Sequence, residues 1–74
     1  MNATICIKSI RVNQNVTTPA GPGVVQGWTR YDDGTIDKII VGINPRKVKL
    51  EPLYLENWYG GPFVNLLFYP DEVR

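Results

Sequence analysis

The sequence predicts a small all-β domain, a five-stranded antiparallel barrel with a short C-terminal turn. Three observations predict it. Nowhere do the 74 residues sustain a helical periodicity. Short runs rich in β-branched and aromatic residues alternate with clusters of Gly, Pro, Asn and Asp. Two of those runs also carry a phase change or an internal glycine, the irregularities a short sheet needs in order to curl on itself.

The elements follow in chain order. Residues 4–12 are rich in Ile, Val and Thr, but Ile5 and Ile7 share one parity while Ile10 and Val12 share the other. That phase change predicts a first strand with a bulge or bend near Lys8-Ser9. The stretch TTPAGPG, residues 17–23, reads as a tight loop, with φ restrained by Pro19 and Pro22 and freed at Gly21 and Gly23. It delivers the chain into a second strand over residues 24–31. Gly27 inside that strand marks a bulge or a close backbone approach. Asp32-Asp33-Gly34 is a hairpin signal, and its partner strand covers residues 36–43, with Ile39, Val41 and Ile43 on one face. Asn44-Pro45 ends it. Residues 47–51 alternate, Val48 and Leu50 inward and Lys47, Lys49 and Glu51 outward, which predicts a fourth strand. Pro52 stops it, and residues 54–62 read as a loop or a short irregular turn. Residues 63–69 form a nearly continuous apolar run, which predicts a fifth strand buried on both faces. Residues 70–74 read as one helical or 3₁₀ turn.

Size sets the next limits. Seventy-four residues make a single domain spanning 1–74. A core below ~80 residues seldom contributes more than about 3–5 kcal/mol of net stability. Cys6 is the only cysteine and there is no histidine, so neither an intrachain disulfide nor a zinc site can supplement that core. A homo-oligomer is the expected supplement. The formal charge of +1 argues against a dedicated duplex-DNA binder, whose affinity comes from neutralising phosphates. No apolar run approaches the ~20 residues that cross a bilayer, and no secretory leader pattern opens the chain. A cytoplasmic protein without membrane contact is the expectation.

The layout resembles the small SH3-like barrels of phage and plasmid origin. The resemblance rests on Thr18-Pro19-Ala20-Gly21-Pro22-Gly23-Val24-Val25 before the second strand and on Phe68-Tyr69-Pro70-Asp71-Glu72-Val73 at the end. It implies fold far more than function, because such barrels host many roles. Within that group the type II dihydrofolate reductases are similar in length. Their pore-lining strand is similar to Leu66-Leu67-Phe68-Tyr69-Pro70, and Gly27-Trp28 matches a Gly-Trp pair. Leu67 stands where that family places a polar glutamine for cofactor and substrate, which counts against the same activity here.

Catalysis has little to work with. Without histidine there is no Ser-His or Cys-His pair and no ordinary neutral-pH proton shuttle. Cys6, between two isoleucines, reads as a core thiol. Asp32, Asp33 and Asp37 read as turn carboxylates, so no metal and no cofactor is expected, and the chain is not read as an enzyme. Binding has more. Trp28, Arg30 and Tyr31 form one aromatic and basic group; Trp58, Tyr59, Gly60 and Gly61 form another; Arg46 and Lys47 lie in the one basic cluster. Aromatic rings offer stacking faces, guanidinium forks suit phosphate, and paired glycines let backbone N–H groups approach a ligand. Core or interface filling competes with these roles for both tryptophans.

The leading expectation is a non-catalytic, homo-oligomeric phage-type protein that sequesters a small anionic ligand. By analogy, that ligand is a cyclic nucleotide defence signal. The alternative is a KOW- or Tudor-like module that binds nucleic acid or a host protein such as a defence nuclease. A phage structural component and a reductase-like enzyme follow.

Overall fold

The computed structural model describes residues 10–56 and 58–74. It is mostly β, with a four-stranded antiparallel sheet in the order β1-β2-β3-β4 and little helix. The strands are β1 (Asn15–Thr18), β2 (Gly21–Arg30), β3 (Ile36–Ile43) and β4 (Val64–Phe68). One turn of helix, α1 (Pro52–Leu55), precedes β4, and a 3₁₀ turn (Pro70–Glu72) follows it. The described strands do not close into a barrel.

The Pro/Gly stretch is a hairpin, not a loop ahead of a strand. Thr18 pairs with Gly21, Thr17 with Pro22 and Val16 with Gly23, which leaves Pro19-Ala20 as the turn. The Thr18 hydroxyl holds that turn, donating to the Gly21 carbonyl at 2.8 Å and accepting the Ala20 N–H at 3.2 Å. Pro22 sits in a paired strand without cost because Thr17 directs its backbone groups the other way. The Thr17 N–H donates to the Arg74 carbonyl at 2.6 Å, and the Arg74 N–H donates to the Thr17 carbonyl at 2.9 Å. The chain after the 3₁₀ turn therefore reaches back to the outer edge of β1, and Val73 is fully buried on the way.

The long strand β2 bends through two register shifts against β3, one between Val25 and Gly27 and one between Trp28 and Arg30. The expected irregularity at Gly27 is present, but the extra residue is Gln26. A Cβ on Gly27 would meet nothing nearer than Ile40 Cδ1 at 3.9 Å, so no close backbone approach requires glycine there. At the Asp32-Asp33-Gly34 turn, Gly34 has a φ of 89° and Gly34 N–H donates to the Tyr31 carbonyl. This is a type I turn followed by a left-handed residue, a common three-residue hairpin.

The core lies on one face of the sheet. Ile39, Val41 and Ile43 of β3 are fully buried, with Val25 from β2 and Val64 and Phe68 from β4. Three further expectations need correction. Residues 47–51 form no strand: the Asn44 carbonyl accepts both the Lys47 and the Val48 N–H, and its side-chain oxygen accepts the Arg46 N–H. The backbone is thus turned on itself and offers no ladder, although Leu50 is buried and Val48 packs on the core as the alternation predicts. β4 is buried on one face only, since Asn65 and Leu67 are exposed. Residues 10–12 belong to no strand, while the rest of the expected first strand, its bend and Cys6 lie outside the described residues.

Candidate functional site

Two cavities lie side by side along the start of β4. The larger, about 590 Å³, is an open groove between the β1–β2 hairpin, the turn after β3, and Phe63. Its walls include Pro22, Val24, Val48 and Phe63, with Lys47 and Arg74 at its margin. Among the described residues no carboxylate side chain lines it. Backbone hydrogen bonds place both cations, local ones for Lys47 and long-range ones for Arg74. The Asn44-centred turn points Lys47 outward at the end of β3, and the two backbone bonds to Thr17 anchor Arg74. The ion pair formed among the described residues is Lys38 with Asp37 at 3.6 Å, so within that set both groove cations remain unpaired.

The smaller cavity, about 360 Å³, is aromatic. Tyr54 from α1, Trp58, Tyr59 and Phe63 line it with Leu66 and Asn65 of β4. Trp58 is half-buried against the core, and its indole N–H donates to the Gly61 carbonyl at 3.1 Å. Gly60 has a φ of 97°, a conformation that turns the chain so that Gly61 can receive that bond. Tyr59 is 93% exposed, with Leu53 beside it at 72%. Gly60 and Gly61 line neither cavity. Their visible role is to set the Trp58 ring.

The remaining site candidates stand apart from these cavities. Trp28 packs against the core, the Arg30 guanidinium lies 5.9 Å over its ring, and the same guanidinium donates to the Gly34 carbonyl at 2.8 Å. Arg30 is thereby tied to its own hairpin. Tyr31 neighbours Asp37, and that carboxylate holds the phenol above its ordinary range. Asp33 is held below the usual carboxylate range by the Thr35 hydroxyl and N–H, at 2.7 and 2.9 Å. Arg46 is exposed on the turn beside Lys47 but does not line the groove.

Of the cavity residues, Lys47, Trp58 and Tyr59 are the ones the sequence points to. It does not point to Arg74, Phe63 or Tyr54. Arg74 gave no signal, since an isolated arginine in a tail says nothing until its backbone pairs with β1. Phe63 was legible only as the start of an apolar run. Among the described residues no helix is long and apolar enough to cross a membrane. Comparison with protein-family models, with curated proteins and with solved structures finds no match.

Proposed function

We infer that this chain is a non-catalytic binding protein that holds a small anionic ligand in the groove between Lys47 and Arg74. One observation carries the reading: among the described residues, two unpaired cations border an apolar groove whose lining has no carboxylate side chain. Apolar walls with a few placed polar groups are the usual make-up of a ligand site, and low-dielectric walls strengthen the attraction of the cations for an anion. A nucleotide suits that combination. In the analogy with phage sequestering proteins, retention of a cyclic nucleotide signal is the whole activity, so no catalytic group is required.

The same reading includes self-association. The outward face of the sheet carries Val24, Ile40 and Leu67, and Leu67 is 57% exposed, an apolar surface suited to a second copy. The test is light scattering with and without a panel of cyclic and linear nucleotides, followed by recovery of the bound compound. The expected result is an oligomer that retains one nucleotide unchanged. A chain that binds none of them, or that converts the compound it takes up, overturns the proposal.

A second reading draws on exposed Tyr59 and Leu53, which together offer an apolar contact to a protein partner. A monomer that ignores nucleotides and captures one protein would favour it. Nucleic-acid binding that falls steeply with salt would favour the related module.

A further inference from the structure

The groove and the aromatic pocket share a wall. Phe63 lines both, so the cation-bearing groove and the ring-lined pocket flank one side chain. We propose that a single mononucleotide occupies both, its phosphate between Lys47 and Arg74 and its base against Trp58 and Tyr59. This rests on the anion reading of the groove and names what lies beyond the anion.

The chemistry of the two cavities is segregated. The groove has the two cations, and the pocket has Tyr54, Trp58, Tyr59 and Phe63 with no charged side chain among the described residues. A bare anion uses only the first, and an uncharged ring uses only the second. A ligand that carries a phosphate and a flat ring a few bonds apart uses both. The pocket is also prepared for a ring face. The bond from the Trp58 indole N–H to Gly61 orients that ring before any ligand arrives, which lowers the ordering cost of stacking. Tyr59, 93% exposed, is a stacking surface without a partner among the described residues. Asn65 adds a carboxamide at the pocket, a donor and acceptor that can meet a base edge. The charge count favours a mononucleotide over a strand. Two cations line the groove and match one phosphate, while exposed Arg46 and Lys49 beside Lys47 do not line it.

The experiment is calorimetric titration of the full chain with inorganic phosphate, ribose 5-phosphate, adenosine, adenosine 5′-monophosphate and a short single-stranded oligonucleotide. Tryptophan fluorescence is followed in parallel. Base stacking on an aromatic side chain is expected to tighten the monophosphate about tenfold over ribose 5-phosphate and to change tryptophan emission only when the base is present. Tyr59→Ala, at an exposed position that spares the core, should remove that tenfold and leave ribose 5-phosphate unchanged. Lys47→Gln should weaken both phosphates alike. Equal binding of the monophosphate and ribose 5-phosphate overturns the base pocket and leaves the anion reading standing. Adenosine that binds as tightly as the monophosphate, with no effect of Lys47→Gln, overturns the groove instead. No binding by any probe overturns both, and a strong preference for the oligonucleotide overturns the single-nucleotide assignment.

Discussion

Replacing Gly23 with alanine should destabilise the domain, while the same replacement at Gly27, four residues on in the same strand, should stabilise it. A Cβ at Gly23 would lie 2.6 Å from Val41 Cγ1, 2.9 Å from the Gly42 carbonyl oxygen and 3.0 Å from Ile43 Cγ1, against 3.4–4 Å for ordinary contact. Val41 and Ile43 are fully buried and the third neighbour is backbone, so none of the three can swing away into solvent. Overpacking of this kind costs about 1–3 kcal/mol. The reduced entropy of the unfolded chain returns about 0.4–1 kcal/mol, leaving a net loss on the order of 1–2 kcal/mol. At Gly27 only the entropy gain remains, because the nearest atom is 3.9 Å away and φ is not in the left-handed region. For a domain of this size each kcal/mol moves Tm by about 4–8 °C. Urea and thermal unfolding of the two variants beside the parent measure the difference. A Gly23→Ala variant as stable as the parent would refute the packing around β2, as would a Gly27→Ala variant that is equally damaged.

Four further outcomes are expected. Ile43→Ala should cost about 2–5 kcal/mol in denaturant unfolding because Ile43 is fully buried, whereas Leu67→Ala should change the stability of the single chain by less than ~0.5 kcal/mol. Leu67→Lys should lower the solution mass if the outward sheet face joins copies; an unchanged oligomer would exclude that face. Absorbance titration should find Tyr31 ionising above the ordinary tyrosine range, and Asp37→Asn should bring it down. Since the folded phenol holds its proton longer than the unfolded one, this contribution is present below the unfolded pKa and lost as pH rises towards the folded value. Asp33 works in the opposite direction. Its folded pKa is lowered, so its contribution is present above the unfolded carboxylate pKa and lost as pH falls through the folded value, and Thr35→Val should weaken that acid dependence.

Much of the fold was legible because local chemistry imposes it. The alternation of Ile39, Val41 and Ile43 allows only one face to be buried, whatever the partner strand. Asp-Gly at 33–34 suits a left-handed turn residue, and the hairpin is there. Pro70 starts a 3₁₀ turn as its restrained φ favours. Three stretches depart from their local pattern, each for its own reason. Residues 17–23 are rich in turn formers, yet only Pro19-Ala20 turn and the rest pair as strand, because Thr17 turns its backbone towards Arg74 and needs nothing from Pro22. Residues 47–51 alternate like a strand yet have no ladder, and Asn44 holds Arg46, Lys47 and Val48 in a turn at the start of that stretch. The nearly continuous apolar run at 63–69 predicts burial on both faces, yet its outward residues meet no second layer among the described residues.

The candidate site divides the same way. Residue types that can stack or meet an anion are a property of the chain, and Trp58, Tyr59 and Lys47 stand out on that basis. Which of them share a cavity depends on long-range pairing. Arg74 joins Lys47 only because two backbone bonds fasten the end of the described chain to β1, and Phe63 joins the two cavities only because β4 lies where it does. Trp28 and Arg30 resemble a site in one dimension and close on their own hairpin in three. The sequence by itself determined β-rich character, the buried face of β3 and the absence of histidine chemistry, since these follow from side-chain period and composition. Only the tertiary structure decided which edge receives the tail and which cations stand together, because such contacts join residues far apart in the chain and leave no local pattern to read.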